Sequence, residues 1–127
     1  MAITPVRTLV AQAKSEITTL PADAVAQAVA AGTALMVDIR DIRELERDGR
    51  VPGAFHAPRG MLEFWVDPES PYYKPALGEG RLLVLFCASA WRSALAAKTL
   101  QDMGVENVAE MEGGFKGWEA GGHPVER

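Results

Sequence analysis

Five apolar residues in a row, Leu82-Leu83-Val84-Leu85-Phe86, run into a short loop and then into Ser93, Ala96, Ala97, Leu100 and Met103 at helical spacing. An apolar run without polar alternation suits a strand buried on both faces, as in a parallel sheet covered by helices. A strand that turns directly into a helix points to an α/β architecture, expected here as an open, mainly parallel sheet with helices on both faces. The turn then lies at the carboxyl edge of the sheet, where open α/β folds bind ligands and the free N–H groups of the helix face an anion.

That loop holds the only cysteine, Cys87. Helix N–H groups and a neighbouring arginine both favour a thiolate, the nucleophilic form, and can bring a cysteine pKa from about 8.5 down to between about 3.5 and 7.5. The competing reading is an inert, buried cysteine at the end of a core strand. Small residues at Ala88, Ser89 and Ala90 leave room for a cradle of backbone donors, and Arg92 can add a planar fork of N–H groups. Arg92 could instead tie the loop to an acidic residue such as Glu110. An indole at Trp91 inside a short exposed loop is costly unless it packs, so Trp91 is expected to shape access to the site.

The rest of the chain reads as alternating helices and strands. Val6, Leu9, Val10, Ala13 and Ile17 form a helical stripe with Thr4 as cap and Pro5 at the first helical position. This N-terminal helix is expected to pack back onto the core. A second helix runs through Val25 and Val29 to Gly32, and Ala34–Ile39 reads as a buried strand. Asp41 and Glu44 have capping-box spacing for a short helix ending at Gly49, and Arg40 with Glu44 has the spacing of an i, i+4 ion pair. Asp38 is a second-tier candidate for holding the loop through a hydrogen bond. Ala54–Ala57 is expected as a short strand in which His56 is a hydrogen-bonded core residue. From Pro58 to Gly80, prolines break everything but one short helix around Leu62 and Trp65, and Arg59 and Trp65 are candidates for lining the mouth of the site. A last strand is expected over Val105–Met111, with Gly113-Gly114 opening a final helix.

With 127 residues, 48% of them hydrophobic, the chain can bury one good core, so residues 1–127 are expected to form a single domain: a helical extension over 1–20 and a core over 21–127. A net charge of −4 without any basic run argues against nucleic acid or anionic membrane as partners. One cysteine and two distant histidines, His56 and His123, leave no ligand set for a structural metal, and no cofactor is expected. No stretch reads as a signal peptide or membrane span, so the expected location is cytoplasmic.

Cys87-Ala88-Ser89-Ala90-Trp91-Arg92-Ser93 resembles the active-site loop of rhodanese-like sulfurtransferases, C-x-x-G-x-R-S. Val37-Asp38-Ile39-Arg40 with Glu44 resembles the D-x-R…E segment of that family, and Gly49-Arg50-Val51-Pro52-Gly53-Ala54 its G-H-I-P-G-A. Met111-Glu112-Gly113-Gly114-Phe115-Lys116-Gly117-Trp118 resembles its L-x-G-G-x-x-x-W. The resemblance implies a rhodanese-like fold in which Cys87 takes the terminal sulfur of thiosulfate or a similar small anionic donor, releases sulfite, and carries the sulfur as a persulfide. The loop from Ala88 to Ser93 would bind the donor, and cyanide, a small thiol or a protein acceptor would remove the sulfur.

Two positions depart from the pattern: Ala90 stands where the family has Gly, and Arg50 where it often has His. If position 90 needs a positive φ, alanine costs about 1 kcal/mol or more there and slows turnover. The rival readings are a rhodanese-like interaction or relay module that turns over poorly and a cysteine phosphatase. Phosphatase loops follow C-x-x-x-x-x-R, one residue longer than the spacing from Cys87 to Arg92.

Overall fold

The computed structural model describes residues 2–127. Five parallel strands form one open sheet in the order β1-β5-β4-β2-β3, with β1 at Thr19–Leu20, β2 at Ala34–Asp38, β3 at Phe55–His56, β4 at Leu82–Phe86 and β5 at Val108–Met111. The helices are α1 (Val6–Glu16), α2 (Ala22–Ala30), α3 (Ile42–Asp48), α4 (Leu62–Val66), α5 (Arg92–Asp102) and α6 (Gly114–Ala120). The expected α/β layout with helices on both faces is the one observed.

The period of two along each strand sorts the apolar runs between two cores. Leu35, Val37, Leu83 and Leu85 face Ala96, Ala97 and Leu100 of α5 and Leu62 of α4. Ala34, Met36, Val84 and Phe86 face Val25 of α2 and Phe115 and Trp118 of α6. The central strand β4 is therefore covered on both sides, as its lack of polar alternation requires. Cys87 continues the odd-numbered face and falls on the α5 side.

α1 forms a further layer outside α5. Val10 and Ala13 bury against Ala94, with Ile17 and Leu95 packed beside them. The helix thus packs in cis as expected, although Val6 and Leu9 of the stripe stay exposed. Pro5, not Thr4, occupies the N-cap, and no side chain caps this helix.

Other boundaries shift where a local hydrogen bond outcompetes the ladder. The last strand begins at Val108 instead of Val105, because the Val105 amide donates to Leu100 O (3.0 Å) and closes the end of α5. The Asp41–Glu44 capping box forms as its spacing predicts. β1 was not anticipated: two residues are too few to show periodicity, and the pairing of Thr19 with Glu110 is visible only in the sheet. No helix among the described residues is long and apolar enough to cross a membrane.

Candidate active site

Cys87 follows directly on the central strand β4, and α5 begins at Arg92. Its side chain lies at the floor of the loop and is 1% exposed. Burial alone would push the thiol pKa up. The backbone N–H groups of Ser93, Ser89 and Ala90 aim at the sulfur and, with a contribution from the Ser93 side chain, outweigh burial, so the thiol pKa falls below that of a free cysteine. The loop is a set of main-chain donors converging on one sulfur, not merely a small residue in a core.

The donors converge because position 90 takes φ 73, the one left-handed non-glycine backbone among the described residues. An Ala in this region is strained by about 1–2 kcal/mol, and the surroundings must hold it there. The opposite side of the loop is held by α6. Phe115 N donates to Cys87 O (2.7 Å) and Lys116 N to Ala88 O (3.1 Å). The N–H groups of the loop are thus left for the sulfur while its carbonyls are taken by the start of a helix. Gly114, at φ 61, permits this approach, since a Cβ there would lie 2.6 Å from Cys87 O and 2.7 Å from the Ala88 carbonyl.

Arg92 is tied to an acidic side chain, but that residue is Glu44 of α3, not Glu110. Its Nη1 and Nη2 donate to Glu44 Oε2 and Oε1 at 2.8 and 2.9 Å. The pair lowers the pKa of Glu44 and raises that of Arg92, to which Cys87 adds a smaller effect. Glu44 Oε2 also accepts from Asp41 N (3.0 Å), so one carboxylate caps α3 and orients the arginine of the loop. The i, i+4 pair expected between Arg40 and Glu44 does not form. Arg40 turns inward, with Nε and Nη2 on Asp38 Oδ1 and Oδ2 (3.0 and 2.7 Å), Nη2 on Gly49 O (2.9 Å), and its guanidinium 4.1 Å above the Phe115 ring. The carboxylate of Asp38 is committed to this buried pair.

The other candidates divide between the loop itself and the segment from His56 to Trp65, whose contacts are not with the loop. Ser89, Trp91 and Arg92 are exposed, and Trp91, 50% exposed, leaves half of its surface to solvent instead of packing fully. Arg59 pairs with Glu63 (2.7 Å). Trp65 packs edge-on against Phe55 and lies under Lys74. His56 shares a hydrogen bond of 2.7 Å with Arg40 O. A cavity of about 270 Å³ opens beside Ala88 and is lined by Lys116 and by the ion pairs Arg47–Asp48 and Arg127–Glu119.

Ser93 carries more than its backbone N–H to the site. Its Oγ is 3.7 Å from Cys87 Sγ and donates to Glu110 Oε1 at 2.8 Å, and Glu110 Oε2 accepts from Lys14 Nζ (2.8 Å) and Thr19 Oγ1 (2.9 Å). Glu110 thus meets Ser93, Lys14 and Thr19 instead of the Arg92 expected from sequence, which points to no role for Lys14 or Thr19. A signal was present: a glutamate in the apolar strand Val108-Ala109-Glu110-Met111 demands a cation, and Lys14 flanks the buried stripe of α1.

Residues 21–121 match the family described as the rhodanese-like domain. A thiosulfate sulfurtransferase from Glaesserella parasuis is 31% identical over 73% of this chain and 78% of that protein. A dual specificity phosphatase from Arabidopsis thaliana is 32% identical over 71% of this chain and 64% of its own length. Two Bacillus subtilis relatives, one named a putative sulfur carrier protein, are matched over 40% and 60% of their lengths, so the chain spans less than two thirds of several relatives. Among solved structures, a Rhodopseudomonas palustris protein of unknown function, described as a possible tyrosine phosphatase, shares 49% identity over 99% of this chain and 97% of its own, with a TM-score of 0.92.

Proposed function

This chain belongs to the rhodanese-like domain family, and from that premise we propose that it is a sulfurtransferase working through a persulfide on Cys87. The observation that carries the reading is the convergence of the Ser89, Ala90 and Ser93 N–H groups on a buried sulfur whose pKa they lower. Main-chain donors fixed before reaction stabilise negative charge without reorganising.

In the first half-reaction the Cys87 thiolate attacks the sulfane sulfur of thiosulfate. A new S–S bond forms at Cys87, the donor S–S bond breaks, and sulfite leaves with its electron pair. The loop N–H groups that face Cys87 Sγ then stabilise the negative charge of the persulfide. In the second half-reaction cyanide, a small thiol or a protein thiol attacks that sulfur and returns Cys87 as thiolate, which predicts ping-pong kinetics. Ala88–Ser93 form the donor site in this proposal; Asp38, held by Arg40, and Arg59, held by Glu63, are not part of it. The 1% exposure of Cys87 favours a small donor over a bulky one. A cytoplasmic setting, in which a single cysteine stays reduced, belongs to the same proposal.

Against a phosphatase stand the shorter Cys87–Arg92 spacing and the engagement of both terminal nitrogens of Arg92 by Glu44. Ala90 at φ 73 favours a second reading, a relay module of low turnover. Intact-protein mass spectrometry after thiosulfate treatment tests the main proposal. The expected result is a gain of one sulfur atom, discharged by cyanide and absent from Cys87→Ser; an unchanged mass together with hydrolysis of a phosphate ester would replace it with the phosphatase.

A further inference from the structure

Glu110 takes no part in the sulfur transfer proposed for Cys87, although its carboxylate is fully buried in the middle of β5. Removing a carboxylate from water costs several kcal/mol unless it is paired and hydrogen-bonded. The partners come from three elements: Lys14 from α1, Thr19 from β1 and Ser93 from α5. Lys14 and Thr19 both lie outside residues 21–121, the part of the chain matched by the family. The cluster is therefore assembled by the N-terminal extension, and its inner end is one hydroxyl away from Cys87 Sγ.

A serine hydroxyl has one proton to give. Here it goes to Glu110, and the lone pairs of Oγ face the sulfur at 3.7 Å, an arrangement that suits a thiol S–H and not a thiolate. For Ser93 to serve a thiolate or persulfide, its proton must turn toward sulfur. The claim of Glu110 on that proton weakens as its charge is satisfied from the other side, and Lys14 Nζ, with Thr19 Oγ1, satisfies it on Oε2. We propose that Lys14 and Glu110 are positioning residues for Cys87: the ammonium of α1 neutralises the buried carboxylate and so frees the Ser93 hydroxyl for the sulfur. The charged groups facing the sulfur from other directions are Arg92 of α5 and, through it, Glu44 of α3. Both are left untouched by changes at Lys14 and Glu110.

The inference rests on the reading of Cys87 as a working nucleophile, but its test does not need turnover. The thiolate of the full-length protein is titrated by its ultraviolet absorbance and by the pH dependence of alkylation with iodoacetamide. Lys14→Gln leaves the carboxylate charge uncompensated beside Ser93, and the thiolate fraction at a fixed pH below the midpoint is expected to drop about tenfold. Lys14→Arg, which keeps the charge, restores the parent titration. Glu110→Gln moves the midpoint below that of the parent, and adding it to Lys14→Gln cancels the loss; these two variants also keep the test open if Lys14→Gln alone fails to fold. Equal midpoints in the parent, Glu110→Gln and the double variant overturn the inference. A shifted titration with no sulfur transfer in any variant would sink the proposed function and leave the inference standing. Transfer with unmoved midpoints would do the reverse.

Discussion

Ala90 shows how much one backbone dihedral can decide. Relief of its left-handed strain by Ala90→Gly is worth about 1–2 kcal/mol, but glycine adds about 0.5–1 kcal/mol of chain entropy and the buried methyl is worth about 0.8 kcal/mol. These nearly cancel, so urea unfolding of Ala90→Gly should give a stability within about 1 kcal/mol of the parent. Ala90→Val has no such offset: a β-branched residue at φ 73, 4% exposed, should lose about 2 kcal/mol or more and displace the N–H that faces the sulfur. At Cys87 the folded pKa lies below the unfolded one, so the folded protein releases this proton first. The stabilisation is fully present above the unfolded value of about 8.5 and is lost as the pH falls through the folded value. Parent stability should therefore rise relative to Cys87→Ser as the pH approaches 8.5 from below, and parallel unfolding curves for the two proteins across that range would refute the lowered pKa.

At the scale of elements, the site is the meeting of β4, α5 and α6. The first two are joined by the loop itself, whereas α6 arrives from 27 residues further on, Gly114 against Cys87, and holds the loop by its carbonyls. Gly114→Ala puts a methyl group 2.6 Å from Cys87 O at a backbone position with φ 61. The expected loss is more than about 2 kcal/mol, with a larger fall in the proposed sulfur transfer than in overall helix content, since the retreat of α6 would release the loop first. Circular dichroism and a sulfur-transfer assay on the same preparation check this; wild-type turnover would show that α6 does not hold the loop. Glu44 belongs at this scale too, because it is at once the cap of α3 and the partner of Arg92.

For the whole molecule, α1 links the outermost layer to the innermost charge. Ala13 is fully buried against α5, so Ala13→Glu cannot keep the helix docked without burying a second carboxylate. The expected cost is about 3 kcal/mol or more, read as a lower urea midpoint, and an unchanged midpoint would mean that α1 contributes little to the fold. Much of the architecture was legible in the chain. The unbroken apolar run of β4, the helical spacing after it and the Asp41–Glu44 cap are local patterns, and each element formed close to where its pattern lay. Cys87 at the turn, beside a helix start, was legible for the same reason.

Pairings between charged side chains were not legible. Spacing offered Glu44 to Arg40 and proximity of type offered Glu110 to Arg92, yet Arg40 went to Asp38, Arg92 to Glu44, and Glu110 to Lys14 and Ser93. Local order along the chain determined the strands, the helices and the residue at the turn, because periodicity and capping act over a few neighbours. Only the packed sheet decided which charge met which, because a buried carboxylate or guanidinium is satisfied by whatever partner the fold brings within about 3 Å, however far away it stands in sequence.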